Sequence, residues 1–135
     1  MNRSLIKYAG IVLSLTLIFS SCAKDDDTEP SGPGSDRDKF LGTWLCSETV
    51  QNGPTTAFTI KIESQGSEDT IRIINFNNLG NPYSAYALVS GSSIVIPAQQ
   101  ITQVDIAGSG LYNNQGKIVM NYTADADTLT AVCSQ

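Results

Sequence analysis

Beyond residue 42 the chain returns again and again to one beat: apolar, polar, apolar, for a few residues at a time. Phe58, Ile60 and Ile62 alternate with Thr59, Lys61 and Glu63. The same period recurs in Ile118-Val119-Met120-Asn121-Tyr122 and in Leu129-Thr130-Ala131-Val132-Cys133. A period of two puts every second side chain on one face, which is the signature of a half-buried strand and incompatible with an amphipathic helix. Ile71–Phe76, Ser84–Val89, Ser93–Ile96 and Ile106–Tyr112 are further β-rich runs. Turn-forming residues separate them: Gln51-Asn52-Gly53-Pro54, Gln65-Gly66-Ser67, Asn77–Pro82, Ser90-Gly91-Ser92, Asn113–Gly116 and Asp125-Ala126-Asp127. Only Asp36–Leu41 has room for a single helical turn before the first strand. The pattern predicts an all-β domain over 36–135, an antiparallel up-and-down meander of eight or nine short strands.

The first 35 residues read differently. Arg3 and Lys7 precede an uncharged apolar run, Tyr8–Phe19, and then Ser20-Ser21-Cys22. The stretch between Lys7 and Cys22, about 14 residues, is shorter than the roughly 20 that a helix needs to cross a bilayer, so it reads as a secretory signal. Phe19-Ser20-Ser21-Cys22 resembles a bacterial lipobox, which implies a lipoprotein signal peptide over 1–21 and lipid attachment at Cys22. The plainer alternative is an ordinary signal peptide cleaved near Ser21. Ala23-Lys24-Asp25-Asp26 resembles the export signal of surface lipoproteins in the Bacteroidota, which implies an outer-membrane anchor facing the cell surface. Pro30, Gly32, Pro33 and Gly34 give the remainder, to residue 35, the composition of a flexible acidic tether.

Three cysteines leave one over in an oxidising compartment. If lipid consumes Cys22, Cys46 and Cys133 remain as a pair, one on the first strand and one on the last. A disulfide needs their α-carbons within about 7 Å, so a bond there makes the two ends of the meander neighbours. That is the condition for a closed barrel, which also removes exposed edges. Without the bond, an open sandwich stays available. Gly108 and Gly110 lie on one face of their strand, where missing side chains permit a bend.

Phe40-Leu41-Gly42-Thr43-Trp44 resembles the opening of a lipocalin-like domain. From residue 37 to 135 the strand order and cysteine pair are similar to those of small lipocalin-like (calycin-type) lipoproteins of the Bacteroidota. The resemblance implies that Gly42 and Trp44 form the barrel-closing motif, and that the barrel binds a small apolar or amphipathic ligand. An eight-stranded barrel has an interior just wide enough to be filled by side chains or to hold one small ligand. Trp44, Phe58, Phe76, Tyr86, Met120 and Tyr122 are large enough to fill it. Two readings therefore stand: a ligand carrier, or a filled barrel serving as a protein-interaction or enzyme-inhibitor module or as an accessory subunit of a surface complex.

Composition narrows the chemistry. The chain has no histidine, which removes Ser-His and Cys-His nucleophile pairs and the common zinc sites. No metal site or cofactor is expected, since Asp125-Ala126-Asp127 lacks the ligands of a calcium loop. Glu48, Glu63 and Asp105 could serve acid–base chemistry but read as solvated strand residues, so no enzymatic activity is expected. In the domain, five basic residues face nine acidic ones with no basic cluster, which argues against nucleic acid. Two loops set tyrosine beside amides: Tyr83 with Asn78, and Tyr112 with Asn114. They are candidate contacts for a ligand or protein partner, with turn conformation as the alternative reason for the amides. Asp69-Thr70-Ile71 and Asp127-Thr128-Leu129 resemble O-glycosylation sites of exported Bacteroidota proteins, at Thr70 and Thr128. Nothing in the sequence bears on oligomeric state.

Overall fold

The computed structural model describes residues 35–135. The signal peptide, the lipid attachment at Cys22 and all of the tether except Ser35 lie outside the described residues. Eight strands follow one another: β1 (Gly42–Val50), β2 (Thr55–Ser64), β3 (Thr70–Ile74), β4 (Ser84–Ser90), β5 (Ser93–Ile101), β6 (Val104–Tyr112), β7 (Ile118–Ala124) and β8 (Asp127–Ser134). Each pairs antiparallel with the next, and β8 pairs with β1, so the meander closes into a barrel. No edge strand is left among them. The open sandwich is thereby excluded, and the strand count is eight.

Cys46 and Cys133 stand directly opposite each other across the β1–β8 seam, joined by a disulfide with their α-carbons 3.9 Å apart. Both are fully buried, so the bond lies on the inner wall. Alternation then fills the interior layer by layer. Ile60 and Ile62 of β2, Ile71 and Ile73 of β3, Ile94 and Ile96 of β5, Ile106 of β6 and Ile118 and Met120 of β7 are each at most 1% exposed. Each such side chain contributes on the order of 1.5–3 kcal/mol over leaving it in water.

One strand supplies room in place of bulk. Gly108 and Gly110 lie within the uninterrupted β6, facing Tyr122 and Met120 of β7. A methyl group at Gly108 would fall on the backbone of Tyr122, and one at Gly110 would stand 2.9 Å from both Ile94 and Met120. The two glycines are the space into which large neighbours pack.

At one end a 3-10 turn, Asp36–Phe40, straps the barrel shut. Ser35 caps it, accepting from the Arg37 amide. Arg37 Nη1 donates to the Ser67 and Thr70 carbonyls at 2.5 and 3.2 Å, and Lys39 Nζ to the Gly91 carbonyl at 3.0 Å. The strap is thus tied to the β2–β3 and β4–β5 turns. Phe40 is buried beneath it, and the Trp44 indole N–H donates to the Phe40 carbonyl at 2.8 Å. Tyr112 meets both rings edge-on, 5.7 Å from Phe40 and 6.3 Å from Trp44.

The β4–β5 ladder is short, ending at Leu88↔Val95. Beyond it, Pro97 and Ala98 interrupt the register of β5, and the side chain of Gln99 replaces the missing backbone partner. Its amide accepts from the Tyr86 N–H and donates to the Tyr86 carbonyl, both at 2.9 Å. Tyr86 itself points outward and is 41% exposed. It does not help fill the barrel, contrary to the expectation from its size, because it sits on the solvent beat of β4 between Ala85 and Ala87.

Candidate functional site

The alternation of β1 carries Trp44, Cys46 and Glu48 inward together. Glu48 is therefore not a solvated strand residue: it is 7% exposed, the one charged side chain in the core among the described residues. Sequence reading missed it, although the signal was present two positions beyond Cys46 on the same face. Glu63 and Asp105, by contrast, face outward. Glu63 bridges Lys61 at 2.8 Å and Arg72 at 2.6 Å, and these partners hold its carboxyl below the usual range. Asp105 accepts from Gln100 Nε2 at 3.0 Å.

Glu48 lies toward the end of the barrel away from the strap. Its neighbours across the sheet are Thr56 and Ala131. Tyr122 lies on β7, with β8 between it and β1, and its direct partner on β8 is Leu129. The Tyr122 hydroxyl donates to the Glu48 carboxyl and lies 3.1 Å from Asn77 Oδ1. Tyr122 is the one hydrogen-bonding partner of the Glu48 side chain among the described residues, and no cation pairs with it there. Burial pushes the Glu48 carboxyl from its ordinary 4.5 up to about 7.

A hydroxyl carries a single proton, so the two contacts of Tyr122 constrain the proton inventory. With Glu48 protonated, its acid donates to Tyr122, which in turn donates to Asn77. With Glu48 ionised, Tyr122 donates to the carboxylate, and the Asn77 amide must turn its NH₂ toward the phenol oxygen.

Asn77 belongs to a second 3-10 turn, Phe76–Asn78, in the connection between β3 and β4. Asn75, Asn77 and Asn78 all adopt left-handed backbone, with φ of 61°, 56° and 55°. Asparagine tolerates this region better than most residues. Asn75 ties the loop down: its amide donates to the Thr59 carbonyl at 2.8 Å and accepts from the Gly80 N–H at 2.7 Å. This geometry turns Phe76, expected at the end of β3, off the strand and into the barrel mouth. Phe76 is 1% exposed, and its ring centre lies 4.5 Å from that of Tyr122 at a tilt of 47°.

The sequence-predicted contact residues do not gather in one place. Asn78 and Tyr83 lie in the β3–β4 connection, both exposed, at the same end as Glu48. Tyr112 and Asn114 belong to the opposite, strapped end, where Tyr112 packs on Phe40 and Trp44. Gly42 begins β1 with φ of 124°, a conformation that favours glycine, and the Gln135 side chain covers it. Thr70 sits at the β2–β3 turn, its hydroxyl bonded within the Ser67–Asp69–Thr70 cluster, and Thr128 is exposed near the start of β8. A further feature lies on the outer wall. Leu111, Val119 and Val132 are direct cross-strand neighbours on β6, β7 and β8, and Leu88 and Val95 pair on β4 and β5. The only charged residue in the outward beats of β4 to β7 is Asp105.

These features define a small, closed, eight-stranded antiparallel barrel, strapped at one end and holding an acid–phenol pair toward the other. No protein-family model matches the chain, and no curated protein matches it. Solved structures do resemble it. A redesigned β-barrel, mFAP1, bound to DFHBI, superposes with a TM-score of 0.59 at 18% identity, covering 76% of this chain and 100% of that one. EF1p2_mFAP2b bound to DFHBI gives 0.52 at 15% identity, covering 76% and 99%. At these identities the likeness is one of fold.

Proposed function

We propose that this chain is a lipoprotein of the lipocalin-like kind, anchored through Cys22 to the outer membrane and facing the cell surface, whose barrel binds one small apolar or amphipathic ligand. The observation that carries the binding reading is Glu48. An acid in an apolar interior with a single phenol partner lowers stability, and such a cost is characteristic of a functional site. Two barrels of the same fold hold a small molecule, DFHBI, which supports the reading. The chain carries no histidine, and the protein is read as a binder and not an enzyme. Thr70 and Thr128 are proposed glycan attachment points on the outside.

Native mass spectrometry of the purified protein, after exposure to a membrane lipid extract, tests the binding. A retained adduct of discrete mass is expected; bare protein throughout would overturn it. The anchor is tested by metabolic labelling with radioactive palmitate, which Cys22→Ala should abolish. Protease treatment of intact cells should remove the barrel if it faces outward.

The apolar outward cluster of Leu111, Val119 and Val132 favours a second reading, the protein-interaction module or accessory subunit. Leu111→Lys would then abolish co-purification with a membrane partner while leaving the fold intact.

A further inference from the structure

We infer that Phe76 and Asn77 form a built-in plug occupying the ligand seat, and that the ligand which displaces it is a small aromatic amine. This inference rests on the binding reading above and gives it a ligand class. Its starting point is what the two plug residues do. Phe76 is not part of a strand, yet its ring is as buried as the isoleucines of the wall and leans on Tyr122. The next residue places its side-chain amide on the Tyr122 hydroxyl. An aromatic ring followed by a polar head, delivered on one short loop, therefore meets an aromatic wall and a phenol–carboxyl pair.

The chain itself is the occupant, so the seat's chemistry can be read from the plug. A planar ring takes the place of Phe76 against Tyr122, where aromatic pairs prefer such offset or tilted contacts. The head replaces the Asn77 amide beside Tyr122 and Glu48. Asn77 is neutral, and among the described residues no cation neutralises Glu48. A protonated amine supplies what the plug lacks: a positive charge against the carboxylate and enough donors for both oxygens and the phenol. The cross-strand neighbours of Glu48, Ala131 and Thr56, are both small side chains that carry no charge. Apart from the plug's own contacts with Tyr122, the side chain that ties this loop to the barrel wall is Asn75, and Asn77 and Asn78 carry consecutive left-handed backbone outside any strand ladder.

A competing plug reduces apparent affinity by the fraction of time the seat is open. Removing it should therefore tighten binding. The experiment titrates 2-phenylethylamine and its uncharged isostere propylbenzene into the full protein, its Phe76→Ala variant and the Phe76→Ala/Glu48→Gln double variant. Binding is read by NMR shifts of the Tyr122 ring and backbone. The amine is expected to bind Phe76→Ala at least tenfold more tightly than the parent, and at least tenfold more tightly than propylbenzene binds the same variant. Adding Glu48→Gln should remove the preference for the amine and leave propylbenzene binding in place.

Equal affinity for amine and isostere in Phe76→Ala would overturn the ligand class while the binding reading stands. Unchanged amine affinity between parent and variant would overturn the plug. Failure of every protein to bind either probe, together with the absence of any adduct from membrane extract, would overturn both. Should Phe76→Ala not fold, Asn77→Ala, which keeps the buried ring and removes only the amide from Tyr122, carries the same comparison with the same expected direction.

Discussion

Glu48 has the largest consequences of any single residue. Its carboxyl holds a proton up to about pH 7 in the folded barrel and only to about 4.5 when unfolded. Between those values the native state binds more protons than the unfolded one, so stability falls as pH rises through the window. The contribution is fully present below pH 4.5 and lost as pH rises through about 7, and it is on the order of 3 kcal/mol. Denaturant titrations across this range should show that decline in the parent, and Glu48→Gln should flatten it. The exposed carboxylates act in the opposite direction: Glu63 and Asp69 are held low by their partners, so their support fades only in stronger acid. A second residue-scale test concerns room. Gly108→Ala places a methyl group on Tyr122, and overpacking of this kind should cost about 1–3 kcal/mol or more, measured by the denaturation midpoint.

At the scale of elements, strands were easier to read than the connections between them. The runs beginning at Phe58, Ile71, Ser84, Ser93, Ile106, Ile118 and Leu129 all fall on strands, the one from Ile71 overrunning β3 by Asn75 and Phe76, because each element shows water one face and the core the other. The single turn at Asp36–Leu41 is present as Asp36–Phe40. The β5–β6 connection was invisible. Thr102 and Gln103 turn the chain with φ of 50° and 75°, using neither glycine nor asparagine. Two left-handed residues are what a tight hairpin needs, and the neighbouring ladders impose them despite the local cost. Replacing Thr102-Gln103 with Asn-Gly should therefore stabilise the protein by about 1 kcal/mol, seen as a rise of several degrees in Tm. Phe76 was read as the end of β3 for a related reason. Its apolar character continues the strand pattern, and only the left-handed Asn75 before it shows that the chain has already turned inward.

At the scale of the whole molecule, closure depends on the β1–β8 seam. The disulfide joins residues 87 apart in sequence, so it restricts the unfolded chain over most of the domain. Its removal in a Cys46→Ala/Cys133→Ala double variant should cost about 2–5 kcal/mol in chemical denaturation. The ladder from Leu45↔Ser134 to Val50↔Leu129 remains to hold the seam, so the variant should keep its β-sheet circular dichroism. Closure also sorts the candidate residues. Odd strands run from the strap toward Glu48 and even strands return, which sends the Tyr83 and Tyr112 loops to opposite ends. No single surface can use both.

By itself the sequence determined the all-β class and the meander order, and it offered Cys46 and Cys133 as the pair left over if lipid takes Cys22. Each of these depends on local periodicity, turn chemistry or counting, and local properties survive without coordinates. The tertiary structure decided what lies inside. Tyr86 is large yet faces water, and Glu48 is charged yet faces the core, because side-chain direction follows strand phase and not hydrophobicity. The meeting of Glu48, Asn77 and Tyr122 joins residues up to 74 positions apart. Only closure of the barrel, which sets β7 beside β8 and β8 beside β1, brings their strands and loop to one end.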